Sequence, residues 1–212
     1  MNIANIRKEY MQHSLSETDA DPNAFRQFDR WWAEAVQSEI EEVNAMTLAT
    51  VNTSGHPTAR IVLLKGYDER GFVFYTNYHS NKAQDLSQEA GACLVFFWKE
   101  LERQVRIIGV AEKVTAEESD AYFASRPLES QLGAYASDQS SVVASRAAIE
   151  ARLEAVKKQW QDRPIARPSH WGGYRVIPKQ IEFWQGRPSR LHDRLLYTLI
   201  EEGIWKMERL MP

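Results

Sequence analysis

A mainly β architecture with helices packed around it, α+β in class and antiparallel in pairing, is predicted by three observations. Short runs rich in Val, Ile, Leu, Phe and Tyr recur between residues 45 and 113 and again between 174 and 210, punctuated by Gly, Asp and Asn turn signals. Seven Trp, eight Tyr and eight Phe make an aromatic load that suits a β-rich core or a site that stacks a flat ring. Several runs are almost continuously apolar, which points to a closed or nearly closed barrel of six to eight strands, because closure removes exposed edges.

The elements follow in order. Residues 3–11 read as a short helix, and residues 21–42 as a longer one. In the second, Asp21 serves as N-cap, Pro22 sits at N1, and Phe25, Phe28, Trp32, Ala35, Val36 and Ile40 recur at helical spacing. From Ala45 the period shortens: residues 45–52 and 58–68 read as two strands joined by a two-residue turn at Ser54-Gly55. Residues 68–71 (DERG) are a second turn and 71–77 a third strand; after a short helix over 81–89 come strands over 91–98 and 103–114, joined around 99–102. That makes five strands before residue 115.

Residues 115–126 form a helix opened by a capping box, Thr115 with Glu118, and stopped by Pro127, which suits the first turn of the next helix. SDQSS at 137–141 is a polar loop, 144–160 a charged helix, and 161–173 a Pro- and Gly-rich connector. Strand resumes at 174–186, then a hairpin over 195–210 turns at Glu202-Gly203. There is no internal repeat or low-complexity tract, and the reading is a single domain over 1–212.

Composition excludes several classes of function. With 43% hydrophobic and 26% charged residues, the 212-residue chain reads as globular, and its longest apolar run, 92–98, is far short of a membrane span. Residues 1–17 carry Arg7, Lys8 and Glu9 and lack an apolar stretch, so no signal peptide is expected and the protein is placed in the cytoplasm. A net charge of −3 and a pI near 6.0 argue against nucleic-acid binding. The lone Cys93, within ACLVFFW, reads as a buried structural thiol, and the five histidines show no paired ligand spacing, so no metal is expected.

Three clusters carry possible chemistry. Arg187, Arg190, His192 and Arg194 fall within eight residues after an aromatic strand end, giving either an anion-binding loop or a solvated surface loop balanced by Asp193. RIVLLK places Arg60 and Lys65 at the ends of a wholly apolar strand expected to be buried on both faces. Alternation sends them to opposite faces, so one ligand meets both only through a bulge or a strand end; otherwise they snorkel. Tyr122 and Arg126 share a helix face, with Ser130 in the next first turn, which describes a phosphate cradle or an ordinary amphipathic helix end. Dinucleotide, nucleoside-triphosphate and serine-hydrolase glycine motifs are missing.

IEFWQGRPSRLHDR, taken with RIVLLK, FYTN, LERQVRIIG, YFASRP and SDQSS in that family's order, resembles the pyridoxine/pyridoxamine 5′-phosphate oxidases over almost the whole chain. The resemblance implies an FMN-dependent homodimer with a split β-barrel and the flavin at the subunit interface. It implies that Arg60, Ile61, Lys65, Tyr75, Thr76, Asn81, Lys82, Gln104, Gln139, Ser140, Trp184 and Arg194 hold FMN, some from the second chain. Lys65, Tyr122, Arg126 and Ser130 would take the substrate phosphate. Arg190, Leu191 and His192 would lie at the pyridine ring, with Arg190 and His192 in the catalytic role. Arg7 and Tyr10 resemble residues of an N-terminal lid, here within 1–20. The implied reaction oxidises pyridoxamine or pyridoxine 5′-phosphate to pyridoxal 5′-phosphate with dioxygen. The alternatives are a flavin or pyridoxal-phosphate carrier without turnover, and a split-barrel flavin reductase with an idle phosphate cradle. One departure stands out: the family's Ser-Arg-Lys after FYTN reads Ser80-Asn81-Lys82 here, so a cation expected near the FMN phosphate is missing and weaker FMN retention follows.

Overall fold

A computed structural model describes residues 10, 11, 13–161 and 163–212. Arg7 and most of the helix expected over 3–11 lie outside the described residues, and Tyr10 and Met11 are not helical. Helix α1 (Ala24–Gln37) is shorter than the sequence suggested at both ends. Its N-cap is Asn23, whose Oδ1 accepts from the backbone N–H groups of Phe25 and Arg26; Asp21 instead accepts from the N–H of Asn23, so Pro22 precedes the helix. At the far end Glu39 and Glu42 adopt left-handed φ values of 53° and 48°, which end the helical run before Ile40. The buried stripe runs through Ala24, Phe25, Phe28, Trp31 and Ala35; Trp32 packs half-buried against the same core, and Val36 is exposed.

The strands are β1 (Ala45–Val51), β2 (Pro57–Leu63), β3 (Gly66–Asp68), β4 (Gly71–Asn77), β5 (Gly91–Trp98), β6 (Arg103–Lys113), β7 (Trp171–Gln185), β8 (Asp193–Glu201) and β9 (Ile204–Arg209). They form one antiparallel sheet in the path β2-β1-β5-β6-β7-β4-β3, with β8 added to β7 and β9 to β8. The nine strands exceed the expected six to eight because 58–68 is not one strand: it breaks at Leu64-Lys65, giving six strands before residue 115 rather than five. Residues 171–173, expected in the connector, already belong to β7. The β1–β2 turn is a five-residue loop, 52–56, in which Asn52 Oδ1 accepts from the N–H groups of Ser54 and His56 and Gly55 takes φ 78°.

β2 is not buried on both faces. Among the described residues it has a neighbour on one side only, β1, and its residues are exposed or half-buried, with Ile61 64% exposed. The sheet splits along β7, which pairs with β6 over most of its length but on its other side with β4 through Trp171–Val176 and with β8 through Gln180–Gln185. Pro178, between those stretches, has no N–H to donate. Opposite it the register slips at Ile108/Gly109, where a Cβ on Gly109 would meet the Ile177 carbonyl oxygen at 2.1 Å.

Helix α1 closes one side of the sheet. Phe28, fully buried, packs edge-on against Tyr67 and Phe72 and tilted against Phe96 and Trp98, while Trp31 meets Phe183 edge-on. Four further helices lie around the sheet: α2 (Asn81–Gln88), α3 (Ala116–Ser125), α4 (Leu128–Ala136) and α5 (Arg146–Trp160). The Thr115–Glu118 capping box is formed, and Ser145 caps α5, which starts two residues later than expected. Among the described residues no helix is long and apolar enough to cross a membrane.

Candidate functional site: a two-poled cationic cleft

The break in RIVLLKGYD builds the site. After Leu63 the strand ends, and the backbone N–H of Lys65 donates to Val73 O of β4 at 2.8 Å, carrying Lys65 round to the wall that Arg60 occupies from β2. Alternation within one strand would have separated these cations; the strand end reunites them in a cleft of about 690 Å³. The cleft brings together Arg60, Ile61, Lys65, Tyr75, Thr76, Lys82, Tyr122, Arg126, Ser130 and Gln139, all singled out from the sequence. Among the described residues no carboxylate lines it.

Its polar groups fall into two poles. At one, Lys82 Nζ donates to Thr76 Oγ1 at 3.2 Å and Ser80 Oγ at 3.3 Å; Thr76 Oγ1 in turn donates to Gln139 Oε1, which also accepts from the N–H of Asn77. Burial lowers the Lys82 pKa, the neighbouring Arg60 charge lowers it further, and Asp85 opposes both. Arg60 is likewise lowered by burial, with Asp85 in opposition. At the other pole stand Lys65, Tyr122, Arg126 and Ser130. The Arg126 guanidinium lies 4.4 Å over the Trp171 ring, burial lowers its pKa, and its Nη1 is buried with no hydrogen-bond partner among the described residues. An orphaned buried guanidinium nitrogen costs free energy unless an acceptor fills the space before it, so this pole fits an anionic oxygen such as a phosphate's. Tyr75 stacks on Tyr122 at 3.9 Å and on Trp171 at 5.5 Å, an aromatic wall beside the cations.

Asn81 and Ser140 stand outside this lining: Asn81 is exposed at the start of α2, and its backbone N–H donates to Ser140 Oγ at 3.3 Å. Trp171, Pro127, Val62 and Leu63 line the cleft but were not singled out. Trp171 was legible only as an aromatic residue in a Pro- and Gly-rich segment taken for a linker.

The remaining candidates gather elsewhere. Tyr10 packs edge-on to Trp184 at 5.8 Å and His192 at 6.0 Å, and Trp184 lies 4.6 Å from His192. Gln104 is the β6 partner of Trp184, and Arg194 its partner on β8. The backbone N–H of Arg187 donates to His192 Nδ1 at 3.1 Å, which favours the tautomer carrying its proton on Nε2. Burial and the Arg190 charge lower the His192 pKa, with Asp193 opposing. The expected cationic loop is largely neutralised: Arg187 lies 3.5 Å from Asp193, and Arg194, which belongs to β8 rather than a loop, donates through Nε to buried Glu182 at 2.7 Å. Arg190, at φ 62°, forms no ion pair among the described residues, and Leu191 beside it is 69% exposed.

Trp171 and Trp184 stand thirteen positions apart on β7, roughly 40 Å of strand contour.

Taken together, a split antiparallel barrel carries an aromatic-walled cleft with two cationic poles, a lining whose chemistry suits phosphorylated, ring-bearing small molecules. The chain belongs to the pyridoxamine 5′-phosphate oxidase family. Residues 32–160 match the family model described as "Pyridoxamine 5'-phosphate oxidase", and residues 171–212 match "Pyridoxine 5'-phosphate oxidase C-terminal dimerisation region". A pyridoxine/pyridoxamine 5′-phosphate oxidase of Gloeothece citriformis is 58% identical over all of this chain and 99% of its own. Among solved structures, PhzG from Burkholderia lata, in complex with tetrahydrophenazine-1-carboxylic acid, is similar at a TM-score of 0.85 and 29% identity, covering 92% of this chain and 95% of its own. A pyridoxamine 5′-phosphate oxidase-related, FMN binding protein from Nostoc punctiforme shares the fold at a TM-score of 0.71 and 18% identity, covering 89% of this chain and 97% of its own.

Proposed function

We propose that this chain is an FMN-dependent oxidase that converts pyridoxamine 5′-phosphate and pyridoxine 5′-phosphate to pyridoxal 5′-phosphate, as a homodimer whose site draws on both chains. The observation that carries the reading is the pair of cationic poles in one carboxylate-free cleft, one for the phosphate of FMN and one for that of the substrate. Arg60, Thr76, Lys82 and Gln139 form the flavin-phosphate pole; Lys65, Tyr122, Arg126 and Ser130 form the substrate pole. Trp184, Gln104 and Arg194 of a second copy complete the flavin site, which answers the separation along β7. Ile61, Phe97, Ile108 and Val110, all outward-facing on β2, β5 and β6, give that copy an apolar surface to cover.

FMN held by these residues would supply the two-electron acceptor for oxidation at the substrate's C4′ carbon, with dioxygen as the final acceptor giving hydrogen peroxide. The alcohol yields the aldehyde directly; the amine yields it with uptake of water and release of ammonia. The chain's own residues bind and orient. The substrate pole fixes the phosphate, Arg190 places positive charge at the ring, and neutral His192 offers an Nε2–H donor to a ring substituent, so that C4′ is held at attack distance. Neither residue forms a bond to carbon. Tyr10, seated on Trp184 and His192, excludes water from that side.

The test is the visible spectrum of the FMN-saturated protein, recorded without oxygen before and after pyridoxine or pyridoxamine 5′-phosphate is added, with air admitted last. Bleaching followed by recovery in air, with pyridoxal 5′-phosphate formed, is the expected result. A spectrum that bleaches with neither substrate would overturn the oxidase in favour of a carrier, and bleaching by a reduced nicotinamide alone would favour a reductase.

A further inference from the structure

Arg60 is gripped from behind by groups that do not line the cleft. Its Nη1 donates to Thr50 Oγ1 and its Nη2 to Thr58 Oγ1, each at 2.7 Å. Thr50 and Thr58 face each other directly across β1 and β2, so the two hydroxyls present a matched pair to the two ends of the guanidinium fork. A guanidinium has no lone pair to offer, so each hydroxyl proton must find another acceptor. Both find the same atom: Asp85 Oδ2 lies 2.7 Å from Thr50 Oγ1 and 2.9 Å from Thr58 Oγ1, and 3.6 Å from Arg60 Nη2. Asp85 and Thr50 are buried. The guanidinium donates to both hydroxyls, and these, 3.0 Å from each other, donate onward to the carboxylate directly or one through the other, in a setting where such chains reinforce one another. Asp85 also sits on α2 one turn after Lys82, so one carboxylate backs both cations of the pole without touching the ligand space.

We propose that Thr50, Thr58 and Asp85 are positioning residues that lock the Arg60 fork against the sheet edge beside the cleft that Arg60 lines, and so make the site selective for phosphorylated over unphosphorylated flavin. This rests on the reading of the Arg60–Lys82 pole as the flavin-phosphate pole. A mobile arginine would surrender ordering entropy on each binding event; a pre-ordered one does not, and the advantage accrues only to a ligand that carries the phosphate.

The experiment compares dissociation constants of FMN and riboflavin, read from quenching of flavin fluorescence, for the wild type, Thr50→Val/Thr58→Val and Thr50→Ser/Thr58→Ser. Valine keeps the threonine shape and removes the hydroxyl; serine keeps the hydroxyl. The wild type should prefer FMN, the valine pair should lose about tenfold in FMN affinity with riboflavin unchanged, and the serine pair should retain the preference. Equal losses for both flavins would show a packing role and overturn the proposal, as would an unchanged FMN affinity. A wild type that binds the two flavins equally would instead remove the phosphate pole itself, a different failure. Should the double variant not fold, Thr58→Val alone, at the half-buried strand edge, gives the same readout at smaller amplitude.

Discussion

Asn81 stands at the first position of α2, beside Lys82, where the family resemblance leads one to expect arginine. Its side chain is exposed and the cleft's edge lies one residue away, so an arginine there could reach an anion at the Arg60–Lys82 pole. Asn81→Arg should tighten FMN binding about tenfold, measured by flavin fluorescence at several salt concentrations; an unchanged constant would show that the existing cations suffice. Arg190, assigned to the other half of the proposed site, makes no ion pair among the described residues. Arg190→Ala should lower kcat/KM at least about tenfold while flavin content stays intact; isolation of the variant as apoprotein would move Arg190 to the flavin. At this scale the sequence was informative about chemistry and poor about partners. RLHDR shows four charged or titratable side chains, but not that Glu182 already engages Arg194, because Glu182 comes from the neighbouring strand.

Elements whose ends are fixed by local hydrogen bonds were the easiest to read. The capping box at Thr115 is a pattern of adjacent residues, and it forms as expected: Thr115 Oγ1 accepts from the N–H of Glu118, and Glu118 returns the bond to the N–H of Thr115. Because α3 carries Tyr122 and its C-cap is Arg126, this cap also supports the substrate pole. Thr115→Ala should cost about 1 kcal/mol in chemical denaturation and leave FMN affinity unchanged. Competing local caps were harder to rank. Asp21 and Asn23 are both good N-caps, and the winner is decided by Asp21 being drawn away to the Asn23 N–H and to the Arg26 side chain, 3.1 Å distant. RIVLLK misled for a different reason. An apolar run reads as doubly buried, yet β2 is an edge strand whose outward residues, Ile61 among them, are exposed. Periodicity within one chain carries no mark that distinguishes a core face from a face reserved for another copy.

At the scale of the molecule the antiparallel barrel was legible from strand spacing and turn chemistry, whereas its split was not. Pro178 interrupts a run that otherwise reads as one long strand, and only the pairing shows that β7 serves β4 with one half and β8 with the other. That single strand therefore holds Trp171 in the cleft at one end and Trp184 beside His192 at the other. The separation has a genetic consequence. On the proposed function each site of the dimer takes its cleft from one chain and its loop from the other, so lesions at the two ends of β7 should complement. Arg126→Ala and Arg190→Ala, each nearly inactive alone, should regain about a quarter of wild-type activity when unfolded together and refolded in equal amounts, since half of randomly assorted dimers would carry one intact site. Mixed preparations no more active than their parents would place both ends of the strand in separate tasks.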